Sequence, residues 1–426
     1  MSSENYDPHL HREVSNGLSN AAALVHILKG AIGSGILAMP DALKNSGYIS
    51  GTLGTLAIAT LIVYTIHMLM RCRYAICKKL SVPSMSYAEA MKTALVGGPS
   101  CLQSFANSSA HIVNIFLIVA QIGACCIYVT FISENLQKVL AQADVDMDIR
   151  VYMLIILVPL ILINCIPNLK ILAPLSLFAN LCSAIGISTI LYYVYKDGVS
   201  FDDRHAISNV SRWPLFFGTV LFALQAIGVI IPVEYKMKHP KDFGGMLGVL
   251  NIAMIIVTLL YVFVGFSGYL KYGEYVEGSV TLNLPQNEPL ANSIAIMYSI
   301  SIFISHPLQA YVAIQTLWDD YFKQHFRENS TKFKVAEYVL RISFVILTVL
   351  LAIAVPKLAL IISFIGAVVL SMLSFVFPAV MDICIMHAEH GSRSNWPLWR
   401  NILVIIFGFT GMTTGFYVTI RDIVST

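Results

Sequence analysis

The sequence predicts an all-α integral membrane protein with eleven transmembrane helices, arranged as two inverted five-helix repeats plus one, the first and sixth helices being broken. Three observations carry this expectation. Of 426 residues, 57% are apolar and only 12% charged, against roughly 25% charged in a water-soluble domain. Uninterrupted apolar stretches of about 20 residues, the length that crosses a bilayer, recur along most of the chain. Interruptions in the helical pattern fall in the first and sixth of these stretches, where paired repeats begin.

In chain order, residues 1–19 are polar, contain Pro8 and Gly17, and lack the basic start and apolar core of a cleaved signal. They read as a cytosolic tail. Spans are expected at 20–43, 49–70, 109–132, 151–166, 173–195, 214–233, 246–270, 290–314, 335–355, 358–383 and 401–420. One transmembrane domain over 20–426 follows, with a first repeat at about 20–195, a second at about 214–383 and an extra helix at 401–420. The longest connection, 72–108, contains an amphipathic stretch around Tyr87 that should lie on the cytosolic surface.

Charge sets the orientation. With the tail inside, sixteen Lys and Arg fall on the cytosolic side and nine on the other, while Lys29 and Arg341 sit within spans. That bias follows the positive-inside rule, so the N-terminus is inside and the C-terminus outside. Of the sequons at Asn107, Asn209 and Asn329, only Asn209 then lies in an outer loop, and only it should be glycosylated. A formal charge of +3, with basic residues scattered over short loops, gives no basis for nucleic acid binding. The eight cysteines have no CxxC pair or regular spacing, so neither a disulfide framework nor a metal site is supported, and no cofactor is indicated.

Gly30, Gly33 and Gly35 lie within six residues in the middle of the first span, each costing about 1 kcal/mol relative to alanine in a helix. In the sixth, Gln225, Ala226 and Gly228 lie mid-membrane and Pro232 follows, removing one backbone donor. Either cluster alone would suit close helix packing; two at corresponding positions point to paired breaks. Gly411 and Gly415, a GxxxG in the last span, read as packing, with a dimer contact as the lesser alternative.

The segments that carry these breaks resemble a known family. LVHILKGAIGSGILAMPDALKNSGY (24–48), IHMLMRCRY (66–74), PLFFGTVLFALQAIGVIIPVEYKMKHP (214–240) and GFSGYLKYGEYVEGSVTLNLP (265–285) are similar to segments of the proton-coupled amino acid transporters, a branch of the amino acid/auxin permease group. The resemblance covers nearly the whole chain after the tail. It implies the amino acid-polyamine-organocation superfamily fold and movement of small neutral amino acids, commonly with a proton. A first-helix histidine of the family maps to His26. The sequence departs from the family where the sixth-helix motif usually has glutamate and glycine and this chain has Gln225 and Ala226.

For such a substrate the first break offers the N-terminus of a half-helix beginning near Ser34 and Gly35, so Ile32, Gly33 and Ser34 are the expected carboxylate contacts and Gly35 is a further expected substrate-binding residue. The sixth span runs the other way and presents carbonyls near Ala223 and Gln225 to the ammonium group. Leu224 and Ala226 should border the side chain, and Phe222 should act as a gate. His26, about one turn before Gly30, is the candidate proton-coupling group, because histidine titrates near neutral pH; a neutral bundle histidine is the alternative. Lys29 reads as a fixed cation at the broken end or as a snorkelling side chain. Gln121 and Tyr128 share a face of the third span and either line a pathway or bond between helices. His67, His111 and Arg341 are expected at interfaces, and His306, beside Pro307, in a kinked packing helix.

No GxSxG, HExxH, Walker loop or paired-carboxylate pattern is present, so an enzyme is not expected. The competing readings are a sodium-coupled or facilitative carrier, for which Ser299 and Ser301 offer oxygens but no mid-membrane acid assists, an ion channel, and a non-transporting amino acid sensor. The expected partners are an amino acid, a proton in preference to sodium, and the lipid bilayer. With no endosomal signal visible in the tail, the plasma membrane is expected first and the lysosome second.

Overall fold

The computed structural model describes residues 6–12, 17–31, 33–145, 147–166, 169–196, 198–225, 227–285, 288–326, 330–390 and 395–425. Helices α1 Asn20–Ala31 and α2 Gly35–Ser46 form the first span, α3 Tyr48–Leu80 the second, and α4 Tyr87–Val96 and α5 Ser100–Gln103 the connection that follows. Then come α6 Ala106–Leu140, α7 Ile149–Asn164 and α8 Leu169–Lys196. The second half holds α9 Trp213–Leu224, α10 Ile227–Lys236, α11 Val249–Tyr272, α12 Pro289–Leu317 and α13 Thr331–Ala354. Helix α14 Leu358–Phe364 continues through π-helical turns into α15 Phe377–His390, and α16 Asn395–Val424 ends the chain.

Among the described residues nine helical runs are long and apolar enough to cross a bilayer, and the bent pair α1–α2 makes a tenth. The predicted span at 151–166 falls on α7, a 16-residue apolar helix, shorter than the roughly 20 residues of a straight crossing. The only strand-like pairing among the described residues is an isolated parallel bridge between Leu18 and Met237.

The connections sort into two separate layers. Near the N-terminus, Arg12 pairs with Glu234 at 2.5 Å, Arg71 and Arg400 with Asp382 at 2.5 and 3.1 Å, and Asn114 with Asp320 at 2.8 Å. At the opposite end Lys138 donates to the carbonyls of Leu282 and Leu284 at 2.7 Å, Lys196 meets Glu288 at 2.7 Å, and Tyr48 N–H donates to His205 O at 3.0 Å. These pairs join segments that the alternation of spans places on one side.

Gly47, between α2 and α3, has φ +97°, and a Cβ there would lie 2.6 Å from Ala206 O, so this turn requires glycine. The amphipathic stretch does become a helix, α4, opened by a capping box of Ser86 and Glu89. It does not lie loose on the surface: Tyr87, Ala90, Met91 and Leu95 are buried, and the Tyr87 hydroxyl donates to Leu373 O at 2.8 Å. Gly411 and Gly415 are used inside the chain, where added Cβ atoms would strike Phe217 and Ala367. Arg341 is buried within α13; Glu337 at 2.8 Å and Asn164 O at 3.3 Å satisfy its guanidinium, which is what lets a charge sit there.

Candidate functional site

The first break is a 57° bend between α1 and α2. Gly33 N–H donates to Ala31 O at 3.0 Å, and the hydroxyl of the fully buried Tyr261 donates to the same carbonyl, so the end of α1 is tied to α11. Helix α2 starts at Gly35, and Ser34 makes no side-chain cap. Its first N–H groups therefore lack the intrahelical partners that later turns have. In the sixth span α9 ends on Gln225, whose φ −71° and ψ 118° are extended. The carbonyls of its last turn are correspondingly orphaned. Pro232 lies inside α10 and does not mark the break.

The two breaks meet at a cavity of about 370 Å³, within the usual range of small-molecule sites. Gly33, Ser34 and Gly35 line it from the first span, and Phe222, Ala223, Gln225 and Gly228 from the sixth. His26 and Lys29 line it as well, as do Gln121 and Tyr128 of α6. His26 is exposed, and Lys29, Leu117 and Val312 extend the lining toward the N-terminal face. Its lining includes no Asp or Glu.

Leu224 does not line the cavity. It is fully buried among the helices, because α9 ends with its neighbours Ala223 and Gln225 turned toward the space. Ile32 and Ala226 lie outside the described residues. Of the two serines named as oxygen sources, Ser301 lines the cavity, while Ser299 is buried and donates to Ala295 O at 2.8 Å within its own helix. His306 is buried outside the lining, its Nδ1 3.1 Å from the Asn164 amide.

Of the opposite wall, Ser301 alone is among the residues expected from the sequence. Asn180 and Ser183 of α8 and Ser301, Ser305 and Gln309 of α12 together line this side of the space. Ser183 and Ser301 hydroxyls are 2.8 Å apart, Ser301 donates to Ala179 O at 2.8 Å, and Gln309 donates to the Tyr128 hydroxyl at 3.4 Å. Asn180 Nδ2 is buried with no partner among the described residues. Polar residues at 301, 305 and 309 repeat every four positions, which marks one face of a helix and was the available signal.

Two glycines at the first break play different parts. A Cβ on Gly33 would meet nothing within 4 Å, so that position opens on the cavity. A Cβ on Gly35 would lie 2.6 Å from the Ala223 Cα, where α2 and α9 touch through their backbones.

Broken helices meeting at a polar-lined cavity inside an apolar bundle define a membrane carrier fold. The solved structure titled "Inward facing conformation of Mhp1" superposes with a TM-score of 0.60 at 11% identity, covering 97% of this chain and 91% of that one. At that identity the likeness is one of fold. A family model described as transmembrane amino acid transporter protein matches residues 16–421, and the chain belongs to that family. It is 33% identical over 426 residues to the proton-coupled amino acid transporter-like protein pathetic of Drosophila melanogaster, spanning all of this chain and 89% of that protein. It is 26% identical over 411 residues to the amino acid transporter ANT1 of Arabidopsis thaliana, spanning 93% and 91%.

Proposed function

We propose that this multi-pass membrane protein is a secondary carrier of small neutral amino acids, linked to protons through His26, with the linkage weakened by Gln225. One transmembrane domain of eleven crossings follows the short tail and places residues 1–19 in the cytosol, at the plasma membrane first and the lysosome second. The observation that carries the reading is the shared cavity of the two breaks. The uncapped start of α2 at Ser34 and Gly35 suits a carboxylate. The carbonyls at the end of α9 suit an ammonium group on the other side of the same space. A neutral amino acid therefore satisfies both half-helices at once.

Charge narrows the substrate further. Lys29 adds a cation and no carboxylate lines the cavity, so a substrate with a cationic side chain would be buried without a counter-charge. Asn180, Ser183 and Ser305 instead offer hydrogen bonds to a neutral side chain. Proton linkage is supported by the name of the Drosophila relative and by His26, the one histidine among the described lining residues. Where the family carries a glutamate, Gln225 cannot take up a proton.

Uptake of radiolabelled alanine into proteoliposomes tests the reading. The expected result is saturable uptake that survives replacement of sodium by choline. Binding without uptake would make the protein a sensor, loss of uptake in choline would make sodium the driving ion, and absence of both binding and uptake would overturn the assignment.

A further inference from the structure

A second cavity includes the N-terminal segment in its lining and shares no lining residue with the central cavity. It encloses about 270 Å³. Three parts of the chain build it: His9 and Arg12 of the N-terminal segment, Arg71 and Arg73 of α3, and Glu234 and Lys241 at and after the end of α10. Four permanent cations thus face one carboxylate. Counting Asp7, which pairs with Lys241, and Asp382, which pairs with both Arg71 and Arg400, three carboxylates answer five cations.

The unanswered cation is Arg73. It is buried, and its guanidinium bonds are to Met85 O, at 2.6 and 3.1 Å, and to Met70 Sδ at 3.7 Å. Glu234, whose charge acts on it, is already held by Arg12 at 2.5 Å. A buried guanidinium without a carboxylate of its own is costly unless an anion completes it. One further polar atom points the same way: Arg12 Nε is buried with no hydrogen-bond partner among the described residues, while the buried His9 Nδ1 lies 3.8 Å from Glu234 Oε1, beyond hydrogen-bond reach. Arg12 itself is 8% exposed. At the rim, the side chains of Arg71 and Lys241 are 63% and 74% exposed and can turn inward. Burial, with Arg12 beside it, holds the His9 imidazole below its ordinary value, as expected in an electropositive pocket.

We infer that this cavity is a binding site for a phosphate-bearing anion, either free phosphate or the phosphorylated headgroup of a membrane lipid. Guanidinium groups match phosphate oxygens through charge-assisted, forked hydrogen bonds, whereas a point cation alone would not select for phosphate. Occupancy ties the N-terminal segment to α3 and to the α10–α11 connection. The site is independent of the proposed substrate and of the central cavity.

The full-length purified protein in detergent tests it by thermal unfolding, with sodium phosphate compared with sodium chloride at equal ionic strength. A second arm uses phosphatidylcholine vesicles with and without phosphatidylinositol phosphate. Stabilisation by inorganic phosphate assigns free phosphate; stabilisation by the lipid alone assigns the headgroup; either supports the site. Arg73→Gln should weaken the apparent affinity about tenfold, the worth of one charge-assisted bond, and Lys241→Ala, at an exposed position, should weaken it less while leaving the fold intact. Equal unfolding in phosphate and chloride with no lipid effect overturns the inference. So does stabilisation that is unchanged in both variants, with Lys241→Ala serving if Arg73→Gln fails to fold.

Discussion

The first span turns through 57° over the residues between Ala31 and Gly35, whereas the sixth, interrupted after Leu224, stays close enough to one direction that Val210–Lys236 reads as a single 27-residue run. The first break depends on backbone geometry. Gly35 lies against the Ala223 backbone, Gly33 opens on the cavity, and Tyr261 fixes the preceding helix end. The sixth break uses extended backbone that any residue adopts, so its side chain is free to differ. That is where Gln225 stands. On the proposed reading, one break shapes the site and the other tunes its chemistry.

The largest expected effects divide the two glycines of the first break. Gly33→Val should reduce uptake to background while leaving the melting temperature nearly unchanged, because its side chain enters open space. Gly35→Val should lose uptake together with about 1–3 kcal/mol of stability, because α2 and α9 cannot separate without strain. Melting curves and uptake on the same preparations check both. Equal stability of the two variants would break the distinction.

The sixth break should respond through pH rather than through stability. Uptake by the unmodified protein is expected to depend only shallowly on pH between about 5 and 8, spanning the ordinary histidine range. Gln225→Glu should steepen that dependence, and His26→Gln should flatten it further. Strong concentrative proton-driven uptake that survives His26→Gln would place the proton on another route.

Much of this arrangement was legible before the structure. Hydropathy located the helical segments because a bilayer demands long apolar runs, and three glycines in six residues announced the bend. The rotation of an all-apolar helix leaves no such mark, which is why Leu224 was placed at the substrate and instead lies buried. The Glu337 partner of Arg341 is visible in the sequence at helical spacing, whereas Asn164 O is brought to it only by folding. Asn180 and Ser183 drew no attention beside the glycine runs, since two polar residues in an apolar span are compatible with ordinary interhelical bonding.

Smaller effects test the sidedness on which the comparison rests. Asn209 is exposed, and its side chain accepts from Ser211 N–H at 3.0 Å. Glycosidase treatment should shift the protein's mobility, and Asn209→Gln should abolish the shift. Persistence of the shift in that variant would reverse the orientation of both breaks.

The smallest effect concerns the N-terminal segment. Burial and Arg12 lower the His9 pKa, with Lys241 adding to them and Glu234 and Asp7 opposing. The detached segment then takes up a proton more readily than the docked one. Docking is complete above about pH 6.5 and weakens as pH falls through the lower docked value. Amide exchange of residues 6–12 should rise on acidification, less so in His9→Gln. A pH-independent exchange rate would remove His9 from the contact.

The central claim is that one amino acid bridges both breaks, and photolabelling tests it most directly. A diazirine analogue of a small neutral amino acid, irradiated with the reconstituted protein and mapped by mass spectrometry, should label peptides spanning Gly33–Gly35 and Ala223–Gly228, with excess alanine suppressing both. Alanine-protected labelling confined to one break, or located away from the central cavity, would contradict the shared site.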